Sequence, residues 1–426
     1  MRRFACALLL VAGCHSSSST GSSSSELTYW KDIKPIADAK CVGCHTPDNI
    51  APFALQSFDD FKAETDKVRV AVANHVMPPW PPGSGCAEYQ NDRSLSDAEI
   101  AAITGWIDAG APEGNQSDYK AGTPAMGGLS RVDRTLQLAT PYKPTLTPDE
   151  YRCFLMDWPE TTDKYITGFR ANPGNAPIVH HVIAFLAQPS DVAAYQQLDD
   201  ADPAPGYVCF GGPGGPNGGQ GAKWLGAWAP GSLGDDFPTG TGLKVPAGSK
   251  VILQVHYNMT NDNGLPDQTS VDFKIDESVD KEAMIQPWTN PDWVQSHTMV
   301  IPAGMHDVMY NWTFAPSAYF GLITNDVIPS NVPVTMWSAG LHMHTRGTHA
   351  ELSIVHADGT KECMLEIPRW DFHWQGAYAF QQPKTFQPGD QLYLECHWDN
   401  SGSTVDRNWG EGTADEMCLG SFYVTP

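Results

Sequence analysis

Five consecutive residues constrain the first third of this chain more than any other feature of its sequence. Residues 41–45 are Cys41, Val42, Gly43, Cys44 and His45, which form a C-x-x-C-H motif. In this motif both thiols add to haem vinyl groups and the adjacent imidazole ligates the iron, so one helical turn must carry all three groups. A zinc site would need a second cysteine pair, and a thioredoxin-like dithiol would need a surrounding βαβ pattern. We therefore expect a covalently attached haem c.

The sixth ligand of the iron is expected from a later loop. Met77 lies in the segment 76–80, which contains two prolines that fix the loop, and a thioether ligand raises the haem potential. His75 is the alternative ligand, and a buried core position is the alternative interpretation of Met77. The run Ser96–Gly110 begins with acidic residues and ends with glycine, as a capped helix does. Residues 26–115 are thus predicted to form a small all-α, cytochrome c-like domain.

The N-terminus has the pattern of an export signal. Two arginines precede the short apolar stretch 4–12, which is too short to span a bilayer. The stretch ends in Val11-Ala12-Gly13-Cys14, which resembles the lipobox of bacterial lipoproteins, with ordinary cleavage nearby as the alternative. We expect residues 1–14 to be a lipoprotein signal with lipidation at Cys14, and the Ser-rich residues 15–25 to be a tether. The implied location is the periplasm or the outer membrane, with the lipid anchor as the only membrane contact.

The charge balance excludes some partners. The chain has 26 Lys and Arg against 49 Asp and Glu, a net charge of -23. Unassisted binding to nucleic acid or to an anionic membrane surface is therefore electrostatically opposed.

A change of composition follows the first domain. Residues 116–148 are rich in Gly, Pro, Thr and Ser and are predicted to be a linker. After them come short runs rich in Val, Ile, Tyr, Trp and Phe, such as 250–257 and 391–398, separated by Pro and Gly. This rhythm is typical of β-sandwiches.

Two histidine pairs fall on these predicted strands. His342 and His344 are separated by one residue, so on a strand both imidazoles point to the same face and can bind one metal ion. His180 and His181 are adjacent and point to opposite faces, so both can be ligands only at a bulge or a strand end. One buried and one solvated histidine is the alternative for that pair.

Several motifs, in order, resemble the copper-ligand segments of the ascorbate-dependent type II copper monooxygenases, the family of dopamine β-monooxygenase and peptidylglycine α-hydroxylating monooxygenase. The four segments are 176–181, 253–257, 341–344 with Gly347, and 415–418. Residues 228–231, 371–375 and 387–390 agree as well. The resemblance covers Asp149 to the C-terminus, and the order of several motifs makes it specific.

The resemblance implies two jelly-roll-like β-sandwich domains, 149–285 and 286–426, with one copper each, facing a cleft. It assigns three ligands to the electron-transfer copper, which are His180, His181 and His256. It assigns three ligands to the oxygen-binding copper, which are His342, His344 and Met417. Imidazoles accept both copper oxidation states, whereas a thioether favours Cu(I). A core methionine is the alternative for Met417.

The resemblance also implies two disulfides, Cys396–Cys418 and Cys153–Cys209. Cys86 and Cys363 are left over, and the sequence does not fix their pairing. The remaining histidines match no ligand segment and are expected to be at the surface or satisfied in the core: His297, His306, His349, His356, His373 and His397.

The implied activity is hydroxylation of a C–H bond of a small organic substrate with O2, using two uncoupled coppers. Electrons would come from ascorbate, the family's reductant, or from a periplasmic donor through the fused haem. Peptidylglycine enzymes have an arginine two residues before the H-x-H pair, and Asn and Tyr after the Met-Cys, which receive the substrate carboxylate. This chain has Gly340, Leu419 and Ser421 there. A non-catalytic haem and copper electron-transfer or copper-binding lipoprotein is the alternative function.

Overall fold

The computed structural model describes residues 26–47, 51–122, 127–209, 211–216 and 222–426. The expected signal peptide, its Cys14 and the Ser-rich tether lie outside these residues. Within the described ranges, no helix combines the length and the apolar character needed to cross a bilayer.

The N-terminal region is helical. After a wide helical turn at Tyr29–Ile33 it contains α1 (Lys34–Lys40), α2 (Phe58–Ala63), α3 (Thr65–Ala73) and α4 (Asp97–Asp108). The helices enclose a small apolar core of aromatic and aliphatic side chains, among them Tyr29, Phe61, Ile103 and Trp106. The predicted helix after Ser96 is confirmed: Ser96 and Glu99 form a reciprocal capping box at its start. Gly110 follows it at φ +89°, a left-handed conformation that favours glycine.

The rest of the described chain is dominated by β-strands, as the sequence predicts. The first half contains β1 (Arg134–Gln137), β2 (Asp149–Asp157), β3 (Lys164–Asn172), β4 (Val179–Ala187), α5 (Val192–Ala201), β5 (Tyr207–Val208), β6 (Trp224–Trp228), β7 (Asp235–Asp236), β8 (Thr241–Val245), β9 (Lys250–Asn258), β10 (Ser270–Asp276), β11 (Lys281–Glu282) and β12 (Met284–Trp288). The second half contains α6 (Pro291–Gln295), β13 (Val300–Ile301), β14 (Val308–Phe314), α7 (Phe320–Ile323), β15 (Val334–His342), β16 (Gly347–Val355), β17 (Lys361–Ile367), β18 (Gly376–Phe386), β19 (Gln391–Trp398), β20 (Arg407–Asn408) and β21 (Leu419–Thr425).

One nine-stranded sheet runs through both halves, in the order β18-β15-β21-β12-β6-β4-β9-β2-β5. A six-stranded sheet built from β1, β10, β3, β8, β11 and β7 supplies the other wall of the first apolar core. A four-stranded sheet, β14-β19-β16-β17, supplies the other wall of the second core. The two sandwiches therefore lie side by side and share a sheet, with β12 at the join.

Two strands illustrate why the pattern folds this way. In β9, seven consecutive residues are buried, which fits a central strand covered on both faces. In β19, buried and more exposed residues alternate, which fits a sheet with one face toward the core. The segment 116–148, expected to be a linker, contributes β1, which pairs with β10 and buries Leu136.

The helical region is fastened to the second sandwich. Cys86 and Cys363 form a disulfide, so the two cysteines without an expected partner bond to each other. Residues 88–90 pair with β18: the Gln90 amide donates to the Ala379 carbonyl at 2.7 Å. Tyr89 is buried in the second core and donates to the Met364 carbonyl at 2.9 Å.

Candidate metal centre

Three histidines converge where β4 lies beside β9. The register shifts between Val179 and His181, so a bulge at His180 lets both adjacent histidines turn to one side. His181 is the register partner of His256. The Nδ1 atom of His256 lies 3.2 Å from Nδ1 of His180 and 3.2 Å from Nδ1 of His181. The alternative of one buried and one solvated histidine does not describe this arrangement.

A carboxylate and an aromatic ring fix the third imidazole, and neither was predicted from the sequence. Asp149 Oδ1 lies 3.0 Å from His256 Nε2. Burial raises the pKa of Asp149, but hydrogen bonds with His256, Thr413 and Asn258 outweigh burial and bring it to about 2. Tyr151 stacks on His256 with ring centroids 4.0 Å apart. The carboxylate thus keeps Nδ1 of His256 directed at the other two rings.

The three imidazoles are neutral at physiological pH. Burial, and then the neighbouring histidines, lower the pKa of His180 to about 3 and that of His181 well below its ordinary value. Burial also lowers the pKa of His256. The second nitrogen of His180, Nε2, is buried and has no hydrogen-bond partner among the described residues. Neutral rings with inward-facing nitrogens have the protonation state that a metal ligand requires.

The second group lies at the end of β15. His342 is the last residue of the strand and His344 follows it, with ring centroids 5.1 Å apart. Gln375 Oε1 hydrogen bonds to His342 Nδ1, and the Asp415 carbonyl lies 3.1 Å from His344 Nδ1. Burial lowers the pKa of His342 to about 4 and that of His344 to about 3. These rings are also neutral, and neutral oxygens hold them.

A buried carboxylate supports the turn after this pair. Glu416 accepts hydrogen bonds from the amides of His344 and Arg346, at 3.0 Å and 2.7 Å, and from Trp398 Nε1 at 2.9 Å. Burial raises the pKa of Glu416 to about 7 despite these donors.

Met417 lies beside this turn. It is buried, directly follows Glu416, and precedes Cys418, which forms a disulfide with Cys396. Leu419, two residues after Met417, is the register partner of His342. The chain on both sides of Met417 is therefore fixed next to the histidine pair. The remaining disulfide, Cys153–Cys209, is formed in a separate small core.

The two histidine groups are close together. The ring centroids of His181 and His342 are 6.3 Å apart. Phe372 lies between the groups: it stacks on His180 at 4.4 Å and meets His344 edge to face at 6.0 Å. Phe372 belongs to the segment 371–375, which resembles the family's sequence. Its position between the two histidine groups could not be predicted, because His180 is distant from it in the chain.

Loops from the second half complete the three-histidine group. Thr413 donates to Asp149 at 2.8 Å, and Tyr151 donates to the Glu411 carbonyl at 2.9 Å. Both halves therefore build one buried centre rather than two independent sites.

The residues fit copper. Nitrogens 3.2 Å apart are the spacing of neighbouring ligands around an ion with metal–nitrogen bonds of about 2.0 Å. Imidazole suits copper in both oxidation states, and Met417, which strand pairing brings next to the second group, offers a thioether that suits Cu(I).

The C-x-x-C-H motif lies in the helical region. Cys41 and Cys44 are both free thiols, and burial raises the pKa of Cys41 to about 12. His45 Nδ1 bonds to the Phe53 carbonyl at 2.9 Å, which leaves Nε2 for another partner. Met77 is half-buried, whereas His75 is exposed and has a positive φ of 53°. Met77 as the sixth ligand of a haem stays a prediction.

Comparisons with known proteins agree with the β-rich part of the chain. Residues 137–264 match the N-terminal domain of the copper type II ascorbate-dependent monooxygenases, and residues 295–425 match their C-terminal domain. DBH-like monooxygenase protein 1 of Homo sapiens is 24% identical over 369 residues, which is 79% of this chain and 56% of that protein. DBH-like monooxygenase protein 2 of Mus musculus is 25% identical over 268 residues, which is 59% of this chain and 39% of that protein.

Solved structures add little. The infectious bursal disease virus VP2 subviral particle aligns with 12% identity over 70% of this chain and 75% of that chain, but at a TM-score of 0.19.

The chain spans about half the length of the curated relatives it matches. The two matched domains nevertheless cover more than half of the chain, and both histidine groups lie within them. The chain therefore belongs to the copper type II ascorbate-dependent monooxygenase family.

Proposed function

We propose that this protein is a copper-dependent monooxygenase that hydroxylates a C–H bond of a small organic molecule with O2. The observation that carries the proposal is the 6.3 Å approach of His181 to His342, which joins ligand groups from both matched domains in one buried centre. Copper bound there would supply one-electron redox chemistry and oxygen activation.

The protein's own residues have distinct roles in this proposal. His180, His181 and His256 would hold one copper, and Asp149 orients His256. His342, His344 and Met417 would hold the other. Phe372 is buried between the histidine groups and would exclude water from them.

The substrate is proposed to lack a terminal carboxylate that the protein must bind. Gly340 and Ser421 are register partners across β15 and β21. A Cβ atom at position 340 would lie 2.6 Å from Ser421 Oγ, so this spot has no room for the arginine of the peptidylglycine enzymes without rearrangement. A buried carboxylate without its charge-assisted partner costs about 2 kcal/mol or more. Peptides that end in glycine are therefore expected to be poor substrates.

The helical region is proposed to carry haem c and to deliver electrons to the copper centre. Cys41, Cys44 and His45 would hold the haem, with Met77 as the sixth ligand. The loop that contains Met77 contacts the second sandwich: Arg369 donates to the His75 carbonyl at 2.9 Å. The next residue, Trp370, donates from Nε1 to the His344 carbonyl at 3.0 Å. Two hydrogen bonds, together with the side chains and backbone of Arg369 and Trp370, therefore connect the loop to His344.

Export is part of the proposal. Three disulfides lie in the described residues, and disulfides persist in oxidising compartments. This supports the assignment of residues 1–14 as a lipoprotein signal and a location in the periplasm or at the outer membrane.

The test is an oxygen-electrode screen of copper- and haem-loaded protein with small organic substrates, ascorbate, and one glycine-extended peptide. We expect substrate-dependent O2 uptake, with label from ¹⁸O2 in the hydroxylated product. His344→Ala should abolish both signals. His306→Ala is the matched control, because the side chain of His306 is exposed and bonds to Asp399 at 3.2 Å, away from both histidine groups.

A protein that binds both coppers but consumes no O2 with any substrate would favour the non-catalytic electron-transfer lipoprotein. Rapid turnover of the glycine-extended peptide would instead contradict the substrate proposal alone.

The electron route has a separate test. Pre-reduced haem should be oxidised by the Cu(II) centre in an anaerobic stopped-flow experiment without ascorbate, and haem that stays reduced would contradict the route.

A further inference from the structure

A second cluster of histidines and carboxylates lies on the four-stranded sheet and shares no residue with the copper centre. His349 lies on β16, and Glu395 and His397 lie two residues apart on β19. A register shift between Gly347 and His349 brings His349 opposite His397. One ligand atom from each of the three side chains lies within 4.8 Å of the others.

Each histidine of this cluster already has a carboxylate on one ring nitrogen. Asp307 Oδ1 lies 2.7 Å from His397 Nδ1, and Glu366 Oε1 lies 3.1 Å from His349 Nε2. The other nitrogen of His397, Nε2, faces Glu395 Oε1 at 3.0 Å. A carboxylate behind one nitrogen, with the other directed into a shared space, is the arrangement that orients metal-bound histidines.

Ion pairing among these side chains is the alternative explanation. Three carboxylates, Asp307, Glu366 and Glu395, meet two imidazoles whose ring centroids are 5.0 Å apart. The two imidazoles can balance at most two of the three negative charges, so a divalent cation held between the ligand atoms of His349, Glu395 and His397 would offset the excess.

We propose that His349, Glu395 and His397 bind a third metal ion, a divalent transition-metal ion of which zinc is the representative. Two imidazole nitrogens and a carboxylate oxygen are a common zinc ligand set. The three side chains are 26%, 17% and 21% exposed, so water can complete the coordination sphere.

The position suggests what the ion does. Cys396 lies between Glu395 and His397, is fully buried, and is bonded to Cys418 beside Met417. An ion bound on the outer face would therefore stabilise β19, the strand whose inner face carries the disulfide to Cys418 next to Met417. This inference concerns a separate site and does not rest on the proposed function.

The experiment measures copper plus zinc per chain in copper- and haem-loaded protein after equilibrium dialysis against Zn²⁺. Counting both metals makes the result independent of which ion fills the cluster. We expect His349→Gln/His397→Gln to contain one metal ion fewer than the wild type. The control is His356→Gln, because His356 also bonds two carboxylates, Glu362 and Asp390, without a second histidine. This control should match the wild type.

Equal metal content in the wild type and the double variant would overturn the proposal. Asp307→Asn covers the case in which the double variant does not fold, because Asp307 is 78% exposed and only supports His397. We expect Asp307→Asn to weaken zinc binding about 10- to 100-fold. It should also reduce the rise in melting temperature that zinc gives the wild type. Unchanged zinc affinity in Asp307→Asn would contradict the site as well.

Discussion

The two histidine groups of the copper centre differ in how the protein holds them. In the three-histidine group the facing nitrogens are already 3.2 Å apart, and the ionised carboxylate of Asp149 supports His256. In the second group the ring centroids of His342 and His344 are 5.1 Å apart, within the 4.6–5.6 Å range of the first group, but the rings are held by neutral groups, an amide oxygen and a backbone carbonyl.

This difference bears on oxidation state. A carboxylate behind an imidazole makes the ligand more basic and so favours the more highly charged Cu(II). Neutral support, with a thioether nearby, favours Cu(I). In the proposed function, this difference would suit the first group to exchanging electrons and the second to meeting O2 in the reduced state.

Removing the Met417 thioether tests the role of the second group most directly. In Met417→Ile the apolar volume is nearly unchanged, so the free energy of unfolding should change by less than about 1.5 kcal/mol. Hydroxylation should fall below detection, because the second copper loses its soft ligand. Urea unfolding and product analysis check the two expectations. Met364→Ile is the control, since Met364 is fully buried in the second core. Near-normal turnover by Met417→Ile would show that the thioether is not a ligand.

Removing the hydrogen-bond partner of one histidine in each group tests whether the two groups differ in Cu(II) affinity. Asp149→Asn keeps the shape but removes the charge, and we expect Cu(II) affinity at the three-histidine group to fall about 10- to 100-fold. Gln375→Leu removes a neutral partner of His342 and should weaken Cu(II) binding less. Competition titrations followed by electron paramagnetic resonance measure both affinities. A larger loss in Gln375→Leu than in Asp149→Asn would reverse the proposed division of roles.

Acid should destabilise the copper-free protein through both groups. His342 has a pKa of about 4 in the folded protein against 6.5 for a free side chain, so between these values the unfolded chain binds more protons. The contribution of His342 to the free energy of unfolding is therefore fully present above pH 6.5 and decreases as the pH falls. The decrease amounts to up to about 2 kcal/mol between pH 6.5 and 5. Glu416, with its pKa raised to about 7, acts in the opposite direction as the pH rises.

The effect of a single histidine is isolated by comparing urea unfolding of the wild type and His342→Gln at pH 7.5 and pH 5. The loss of stability on acidification should be smaller in the variant. An equal loss in both proteins would mean that His342 is protonated in the folded state.

Local patterns in the sequence predicted much of the β-rich fold and of the ligand groups. Alternation along a strand predicts that His342 and His344 share a face, and the same rule requires a bulge for adjacent histidines, which occurs at His180. The capping box of α4 is also local. β1 was missed because a four-residue edge strand carries little periodic signal within a segment rich in Gly and Pro.

The supporting residues could not be predicted, because they come from distant parts of the chain. Asp149 meets His256 across 107 residues, and Gln375 meets His342 across 33. Their positions depend on strand order, which no local pattern specifies. The cluster of His349 and His397 was missed for the same reason, since the two histidines become neighbours only when β16 pairs with β19.

The smallest expected effect concerns the residue that both groups share. Phe372 stacks on His180 with an interplanar angle of 20° and meets His344 edge to face. Phe372→Leu keeps an apolar side chain but removes the ring, and a stacked aromatic pair contributes about 0.5–1.5 kcal/mol. We expect both coppers to be retained, the free energy of unfolding to fall by about that amount, and turnover to fall by up to about tenfold. Phe386→Leu is the control, because Phe386 is fully buried against Phe320 in the second core and contacts neither histidine group. It should lose stability without losing turnover in the folded protein. Equal turnover in the two variants would mean that the ring of Phe372 only fills space between the two groups.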